Sequence, residues 1–419
     1  MSTSSRAPVA LVDAYSMGRH VLPALQRHGI ECIHVQSPSP DVHLGKLPIH
    51  EDFVDNVRHD GDVAATAAAL RERGVSHVIP GGESGVELAD RLSAELGTPG
   101  NGMSRPTSRR NKYEMVQALR AAGLPHAATI ISPDVDEIIT WAETTAGYPV
   151  VLKPVASAGT DNVVACSSPD QIRAAHEKIM TSADRHGMPN TVVLAQEFLA
   201  GDEYFVNTVS RDGKHHTVEI WRYYKIRLAG GNIIYDYDEP LAPDDPVAKS
   251  IERYTHQVLD ALEIRNWAAH SEIMMTARGP VLVECAARFG GAQVPDLNNR
   301  CFGTNQVDLL ALSVAEPEKF NELPTTAYEL REIPWNVSLI NPTHHGTVPT
   351  HEKLAALRAL PSYAHTLMAH PEGHPLPQTI DVATQPGWIF LISDDPEQLR
   401  ADYEKLRRIE HEHLYDGAS

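Results

Sequence analysis

The chain opens on short apolar runs alternating with amphipathic stretches. Residues 8–12 (PVALV) read as a buried strand, Tyr15–Arg27 as a helix ended by His28-Gly29, and Ile30–Val35 as the returning strand of a βαβ unit. A helix over Asp62–Arg73 stops at Gly74. The run VSHVIP (75–80) is another strand, and Glu87–Leu96 is a helix stopped by Gly97. The first hundred residues therefore predict a small doubly wound α/β domain. Its first turn lacks GxGxxG, which argues against a dinucleotide there.

The alternation then changes character. A helix over Arg109–Ala122 precedes a strand, Tyr148–Lys153, a small-residue turn at 156–161, a strand at Asn162–Cys166 and a helix over Pro169–Met180. Strand Thr191–Phe198 leads into Tyr204–Ser210, which Asp212-Gly213 joins to His216–Tyr224 as a hairpin. Helix Val247–Leu262 precedes strands Ala268–Thr276 and Pro280–Ala286, which meet at the Arg278-Gly279 turn, and helix Asn305–Ala315 follows. The tail repeats the pattern: strand Trp335–Ile340, a helix at 352–360, strand 387–393 (GWIFLIS), and a helix capped by Asp395 with Pro396 at its first position. The predicted class is α/β and α+β. A doubly wound N-terminal domain occupies 1–105, a central lobe with a helical linker 106–215, a second lobe 216–325, and a C-terminal α+β subdomain 326–419.

Composition narrows the partners. With 36 Lys+Arg against 55 Asp+Glu, the net charge of −19 opposes general binding to nucleic acid or to an anionic membrane. Any phosphate must then be held by local cations and backbone N–H groups. No run of 18 apolar residues occurs and no secretory h-region opens the chain, so a cytoplasmic protein is expected. Cys32, Cys166, Cys285 and Cys301 are widely separated and form no CxxC, which reads as reduced thiols. The 22 histidines show no metal-ligand spacing.

Three stretches carry chemistry. In PVLVECAARFGG (280–291) an apolar strand ends in Glu284, Arg288 and Gly290-Gly291. Alternate strand residues share a face, so Glu284, Ala286 and Arg288 point together, as do His270, Glu272 and Met274 on the preceding strand. The short turn between the strands brings Glu272 and Glu284 onto one face. Two carboxylates at that spacing are unfavourable unless a cation lies between them, and two carboxylates plus phosphate oxygens suit Mg²⁺. The bland alternative is a surface Glu–Arg pair at a strand end. In YPVVLKPVASAGTDNVV (148–164) a strand delivers Lys153 to a turn containing Ser157, Gly159 and Thr160, whose N–H and hydroxyl groups can cradle phosphate; the alternative is an ordinary hairpin. In VVLAQEFLAGDEYFVN (192–207) the hinge Glu197-Phe198-Leu199 can offer backbone groups to an adenine edge and apolar cover to its faces, while Glu203 suits ribose hydroxyls; the alternative is an amphipathic hairpin.

The order Lys112, Lys153, Glu197-x-x-x-Gly201-x-Glu203, His270-x-Glu272, Glu284-x-x-x-Arg288-x-Gly290-Gly291 resembles the ATP-grasp superfamily, and most of all its carboxylate–amine ligases that join amino acids into dipeptides. The resemblance spans roughly residues 1–320. It implies an ATP-grasp fold with ATP between two α+β lobes. Lys112, Lys153, Ser157, Gly159 and Thr160 would meet the phosphates, Glu197, Phe198 and Leu199 the adenine, and Glu203 the ribose. Lys225 would lie near the triphosphate, a place for which Arg227 competes. Glu272 and Glu284 would hold Mg²⁺, with Mn²⁺ able to substitute, and Arg288 would stabilise the acyl-phosphate and tetrahedral states. His270, Gly290 and Gly291 are candidates for the substrate pocket. The implied partners are small-molecule amino acids, with no nucleic acid and no membrane; a homodimer through the front domain also fits.

Two departures stand out. Ala286 occupies the place where many superfamily members carry a metal-binding Asn, which leaves a second Mg²⁺ one protein ligand short. The loop SAGTDN has one glycine where relatives carry two or three. The expected activity is ATP-dependent amide formation between an amino-acid carboxylate and an amine through an acyl phosphate, in dipeptide or specialised-metabolite synthesis. The alternatives are an ATP-grasp enzyme of carboxylase or purine-pathway type, and an ATP-binding sensor without turnover.

Overall fold

A computed structural model of the chain describes residues 6–38, 50–155, 163–182, 189–228, 233–412 and 414–416. Strands β1 (Val9–Val12), β2 (Cys32–Gln36), β3 (Asp55–Arg58) and β4 (His77–Pro80) form a parallel sheet in the order β3-β2-β1-β4. Every residue of β1 is buried, as expected for a parallel strand covered on both faces. The chain jumps from one edge of β1 to the other between β3 and β4. That reversal opens a crevice outside the carboxyl ends of β1 and β4.

The helix expected over Tyr15–Arg27 is instead a 3₁₀ turn, Ser16–His20, followed by a short helix, Val21–Gln26. The cause is close packing of the loops after β1 and β4. A Cβ on Gly18 would lie 2.2 Å from the carbonyl oxygen of Gly81, so the backbones touch and the chain must turn tightly. The helix expected from Arg109 likewise starts later, at Lys112, behind a 3₁₀ turn over Pro106–Arg109. Arg109 points inward. It pairs with Asp90 at 2.7 Å and donates to the carbonyls of Leu262 and Gly102, which fastens the parallel domain to the helix–strand junction near residue 262.

Strands β5 (Thr129–Ser132), β6 (Val150–Lys153), β7 (Val164–Cys166) and β8 (Val193–Glu197) make an antiparallel sheet, β5-β8-β6-β7. Ile138, Val150, Leu152, Ile172, Ile179 and Val193 form its core, under helices Val135–Trp141 and Pro169–Thr181. The turn containing Ser157, Gly159 and Thr160 lies outside the described residues.

Strands β9 (Asp202–Arg211), β10 (Lys214–Arg227), β11 (Ile233–Pro240), β12 (Trp267–Thr276), β13 (Gly279–Ala286) and β14 (Ile333–Ser338) belong to an eight-stranded antiparallel sheet. The small pair β15 (Gly346–Thr347) and β17 (Pro375–Leu376) stands apart, while β16 (Tyr363–Met368) and β18 (Gly387–Ser393) complete the large sheet in the order β13-β12-β9-β10-β11-β14-β18-β16. The tail therefore extends this sheet rather than starting a layer of its own. Tyr237 on β11 stacks on Trp335 of β14 at 4.4 Å and on Tyr224 of β10 at 4.3 Å, which seals that junction. Residue 215 lies in the β9–β10 hairpin, inside the large sheet. The four cysteines are buried and free. Among the described residues no helix is long and apolar enough to cross a membrane.

Candidate active site

The register of the large sheet lines up the chemistry. Directly opposed residues on neighbouring strands share a face, and the face alternates along each strand. One row runs Ala286–His270–Asn207–Glu219 across β13, β12, β9 and β10. The next row on that face runs Glu284–Glu272–Phe205–Trp221. Beyond it stand Met274 opposite Glu203, Tyr223 opposite Asp238, and Lys225 opposite Tyr235. Ring contacts support the shared face: Phe205 lies 5.4 Å from His270, 4.8 Å from Tyr223 and 5.9 Å from Trp221.

Cations from other elements converge on the carboxylate row. Asn111 caps the helix Lys112–Ala121 by accepting from the N–H groups of Tyr113 and Glu114. Lys112, at the first position of that helix, is buried and donates to Glu284 Oε1 at 2.9 Å. Lys153, at the end of β6, is 6% exposed and donates to Gln196 Oε1 at 3.0 Å. Burial, helped by the Lys112 charge, pushes the Lys153 ammonium down to about 8, against the pull of Glu284, Glu272 and Glu203. A lysine that loses its proton near pH 8 would be returned to the charged form by a polyanion.

Glu272 is three-quarters buried. Burial pushes its carboxyl up, while a protonated His270, with Lys225 and Arg288, pulls it down. His270 Nε2 lies 3.7 Å from Glu272 Oε1, and its Nδ1 lies 2.8 Å from Asn207 Oδ1. Gly290 lies against the same pair: a Cβ there would sit 2.7 Å from Asn207 Oδ1 and 3.1 Å from His270 Nδ1, so glycine alone fits. Gly291 has open space around its Cβ position.

Arg288 donates from Nε to Glu83 Oε2 at 2.9 Å and from Nη1 to the Phe289 carbonyl at 2.6 Å. Glu83 also pairs with Arg110 at 3.3 Å. Burial pushes the Glu83 carboxyl up, yet the surrounding Arg288, Arg110 and Lys112 hold it below its ordinary value. Sequence reasoning missed Glu83. Its signal was present: a carboxylate in the turn Gly81-Gly82-Glu83 directly after β4, at the crevice where a parallel sheet reverses its strand order. That turn reaches β13 from the parallel domain and fixes Arg288.

The residues expected at adenine and ribose have protein partners. Glu197 pairs with Arg278, and its Oε2 accepts from Arg278 Nη1 at 3.4 Å. Phe198 is exposed. Glu203 accepts from Lys225 at 2.7 Å; burial pushes its carboxyl up while Lys225 pulls it down. Lys225 also sits 4.5 Å from the ring centre of Tyr235 and 5.5 Å from that of Tyr223. It thus faces the cleft, and Arg227, two residues on, belongs to the same exposed end of β10.

Among the described residues no group of three or more His, Cys, Asp or Glu could hold a metal ion. The opposed Glu272 and Glu284 are nonetheless the donor set that Mg²⁺ uses when phosphate oxygens complete its shell. The residues present therefore fit a metal–nucleotide complex better than a metal alone.

Comparison with known proteins gives the family and the fold. Residues 146–296 match the model of the ATP-grasp domain family. The chain is 32% identical over 421 aligned positions to the dapdiamide A synthase of Enterobacter agglomerans, covering 99% of this chain and 98% of that one. It is 25% identical to the L-arginine-specific L-amino acid ligase of Bacillus subtilis, over 61% of this chain and 63% of that one. The crystal structure of an L-amino acid ligase from Bacillus licheniformis superposes with a TM-score of 0.74 at 18% identity, over 97% of this chain and 98% of that one. With the sheets in the order described, a carboxylate row faced by lysines from two other elements, and a relative matched from end to end, the chain belongs to the ATP-grasp family of carboxylate–amine ligases.

Proposed function

We propose that the protein joins an amino-acid carboxylate to an amine, with ATP as the energy source, and that the product is a dipeptide or a related specialised metabolite. The observation that carries this reading is the row Glu284–Glu272 faced by Lys112, Lys153 and Arg288. In the first step a substrate carboxylate oxygen attacks the γ-phosphorus of ATP. The bond to ADP breaks and an acyl phosphate forms. In the second step the amine nitrogen attacks the acyl carbon, the carbon–oxygen bond to phosphate breaks, and the amine gives up a proton.

Lys153 and Lys112 place positive charge where the phosphates would lie, and little covalent work is asked of the protein in phosphoryl transfer beyond such placement. Glu272 and Glu284 would hold Mg²⁺, which when bound neutralises charge on the transferring phosphoryl group. Arg288, aimed by Glu83, offers a planar fork to the acyl phosphate and to the oxyanion formed on attack. The hinge 197–199 would take the adenine and Glu203, with Lys225, the ribose and triphosphate side. His270, Gly290 and Gly291 border the acyl end. The relatives' names, an amino acid ligase and a dapdiamide synthase, support an amino-acid substrate.

The test is phosphate release from Mg-ATP over the common amino acids, singly and in pairs, with product mass measured. Release that needs two amino acids, with the coupled mass present, supports ligation. Release that needs bicarbonate instead would move the protein to the carboxylase type, and no release under any pair would leave the sensor reading.

A further inference from the structure

The row Ala286–His270–Asn207–Glu219 ends on a carboxylate that the reaction above does not use. Glu219 is 1% exposed. Asn207 Nδ2 donates to its Oε1 at 2.6 Å, and Asn298 Nδ2 donates to its Oε2 at 2.7 Å. Neither partner is charged. An ionised carboxylate sealed from water with no cation bonded to it is costly, by several kcal/mol in general, so its position at the end of this row calls for a reason.

The donor–acceptor inventory supplies one. A carboxylate accepts and cannot donate, so both asparagines must turn their NH₂ groups toward Glu219. With Nδ2 of Asn207 so engaged, its Oδ1 is left facing His270 Nδ1 at 2.8 Å. An oxygen acceptor there requires the proton on Nδ1. The Nε2 of His270 is then the nitrogen presented to Glu272, 3.7 Å away. The amide orientation of an asparagine is ordinarily ambiguous; here the buried carboxylate decides it. Gly290 packs over the Asn207 amide, which leaves that amide no room to swing outward. Asn298 extends the same network to the loop beyond, because its Nδ2 also donates to Gln293 Oε1 at 2.8 Å.

We infer that Glu219 is a positioning residue: through Asn207 it holds His270 with the proton on Nδ1 and Nε2 turned to the reacting centre, and through Asn298 it holds the 290–295 loop against that centre. Burial pushes the Glu219 carboxyl up to about 7, with Asn207 opposing, but both oxygens already receive donors. The kinetic part of the inference rests on the ligase reading; the tautomer part does not.

The test is Glu219→Gln in the full-length protein. A glutamine oxygen can satisfy only one of the two amides, and its own NH₂ must face the other. Asn298 is also held through its Nδ2 by Gln293, so the Asn207 amide is the one that turns over, presenting Nδ2 to His270 and shifting the ring proton to Nε2. Nitrogen NMR of histidine-labelled protein without substrates reads the tautomer, and a His270→Gln spectrum identifies the signal. The expected result is a protonated Nδ1 in the wild type, its loss in Glu219→Gln, and a turnover number lowered tenfold or more with the ATP KM within twofold. Should Glu219→Gln melt early, Asn207→Ala breaks the same chain and carries the same expectations. A folded variant of either kind that keeps the His270 signal and the wild-type turnover number overturns the inference. If no amino-acid pair is turned over by the wild type while the tautomer shifts as stated, the positioning stands and the ligase reading falls.

Discussion

Lys153 gives the most quantitative handle on the nucleotide site. Its ammonium is 6% exposed and burial pushes it from 10.5 down to about 8. At pH 8 about half of the free molecules would lack this charge, and at pH 7 about a tenth. A bound triphosphate favours the charged form and moves the group back toward its ordinary value. Binding of Mg-ATP at pH 8 should then take up about half a proton per site, falling to about a tenth at pH 7. Isothermal titration calorimetry in buffers of different ionisation enthalpy measures this uptake directly. Lys153→Met keeps most of the aliphatic stem and should bring the uptake at pH 8 to near zero while weakening nucleotide binding far more than amino-acid binding. The same shift sets a sign for stability. The folded value lies below the unfolded one, so the unfolded chain holds the extra proton between about pH 8 and 10.5, and this group's contribution to stability rises with pH across that window by about 3 kcal/mol in all. An uptake at pH 8 that persists unchanged in Lys153→Met, or that is absent from the wild type, would refute the reasoning.

Glu272→Gln or Glu284→Gln should each lower turnover by roughly a thousandfold while leaving the melting transition in place, because each removes a metal bond but no packing, and a glutamine oxygen at 284 still accepts from Lys112; near-normal phosphate release at saturating Mg²⁺ in both would exclude the metal assignment. Arg288→Lys keeps charge but loses the fork, and Glu83→Gln loses the group that aims it, so both should reduce the turnover number more than nucleotide affinity. Their effects should fail to add in the double variant, and full additivity in a double-mutant cycle would show that Glu83 does not act through Arg288. Arg109→Met strands Asp90 inside the protein, where burial already pushes its carboxyl up, and should cost about 3–5 kcal/mol in urea unfolding; a loss under about 1 kcal/mol would mean that the two domains are not fastened there.

Some of this was readable along the chain, because local rules carry it. Period-two alternation places Glu284 with Ala286, and Glu272 with His270, whatever the rest of the molecule does. The turn at Arg278-Gly279 makes their strands a hairpin, and the structure pairs Glu272 with Glu284 directly. Most strands that were buried and rich in Val, Ile and Leu were visible; β3 (DNVR), β5 (TIIS), β11 (IIYDYDEP) and β16 (YAHTLM) were not, since they are short or interrupted by polar residues and only neighbouring strands hold them in the sheet. The helix over Pro295–Phe302 was likewise missed. Its sequence, PDLNNRCF, is short and mostly polar, and it forms where it covers the Glu219 end of the cleft through Asn298.

The sequence by itself determined which residue types could handle ATP and a carboxylate, and in what order: lysine before a small-residue turn, two carboxylates on a hairpin, arginine and glycines after them. That follows from spacing within single elements, which the backbone periods fix locally. Only the tertiary structure decided which charges meet. Glu83 reaches Arg288 across 205 residues, Lys112 reaches Glu284 across 172, and Asn298 reaches Glu219 across 79. No local rule relates such positions, because their approach depends on how whole sheets dock. The low value of Lys153 and the buried carboxylate of Glu219 arise from the same cause: a pKa and a hydrogen-bond orientation are set by what surrounds a side chain once water has been excluded from it.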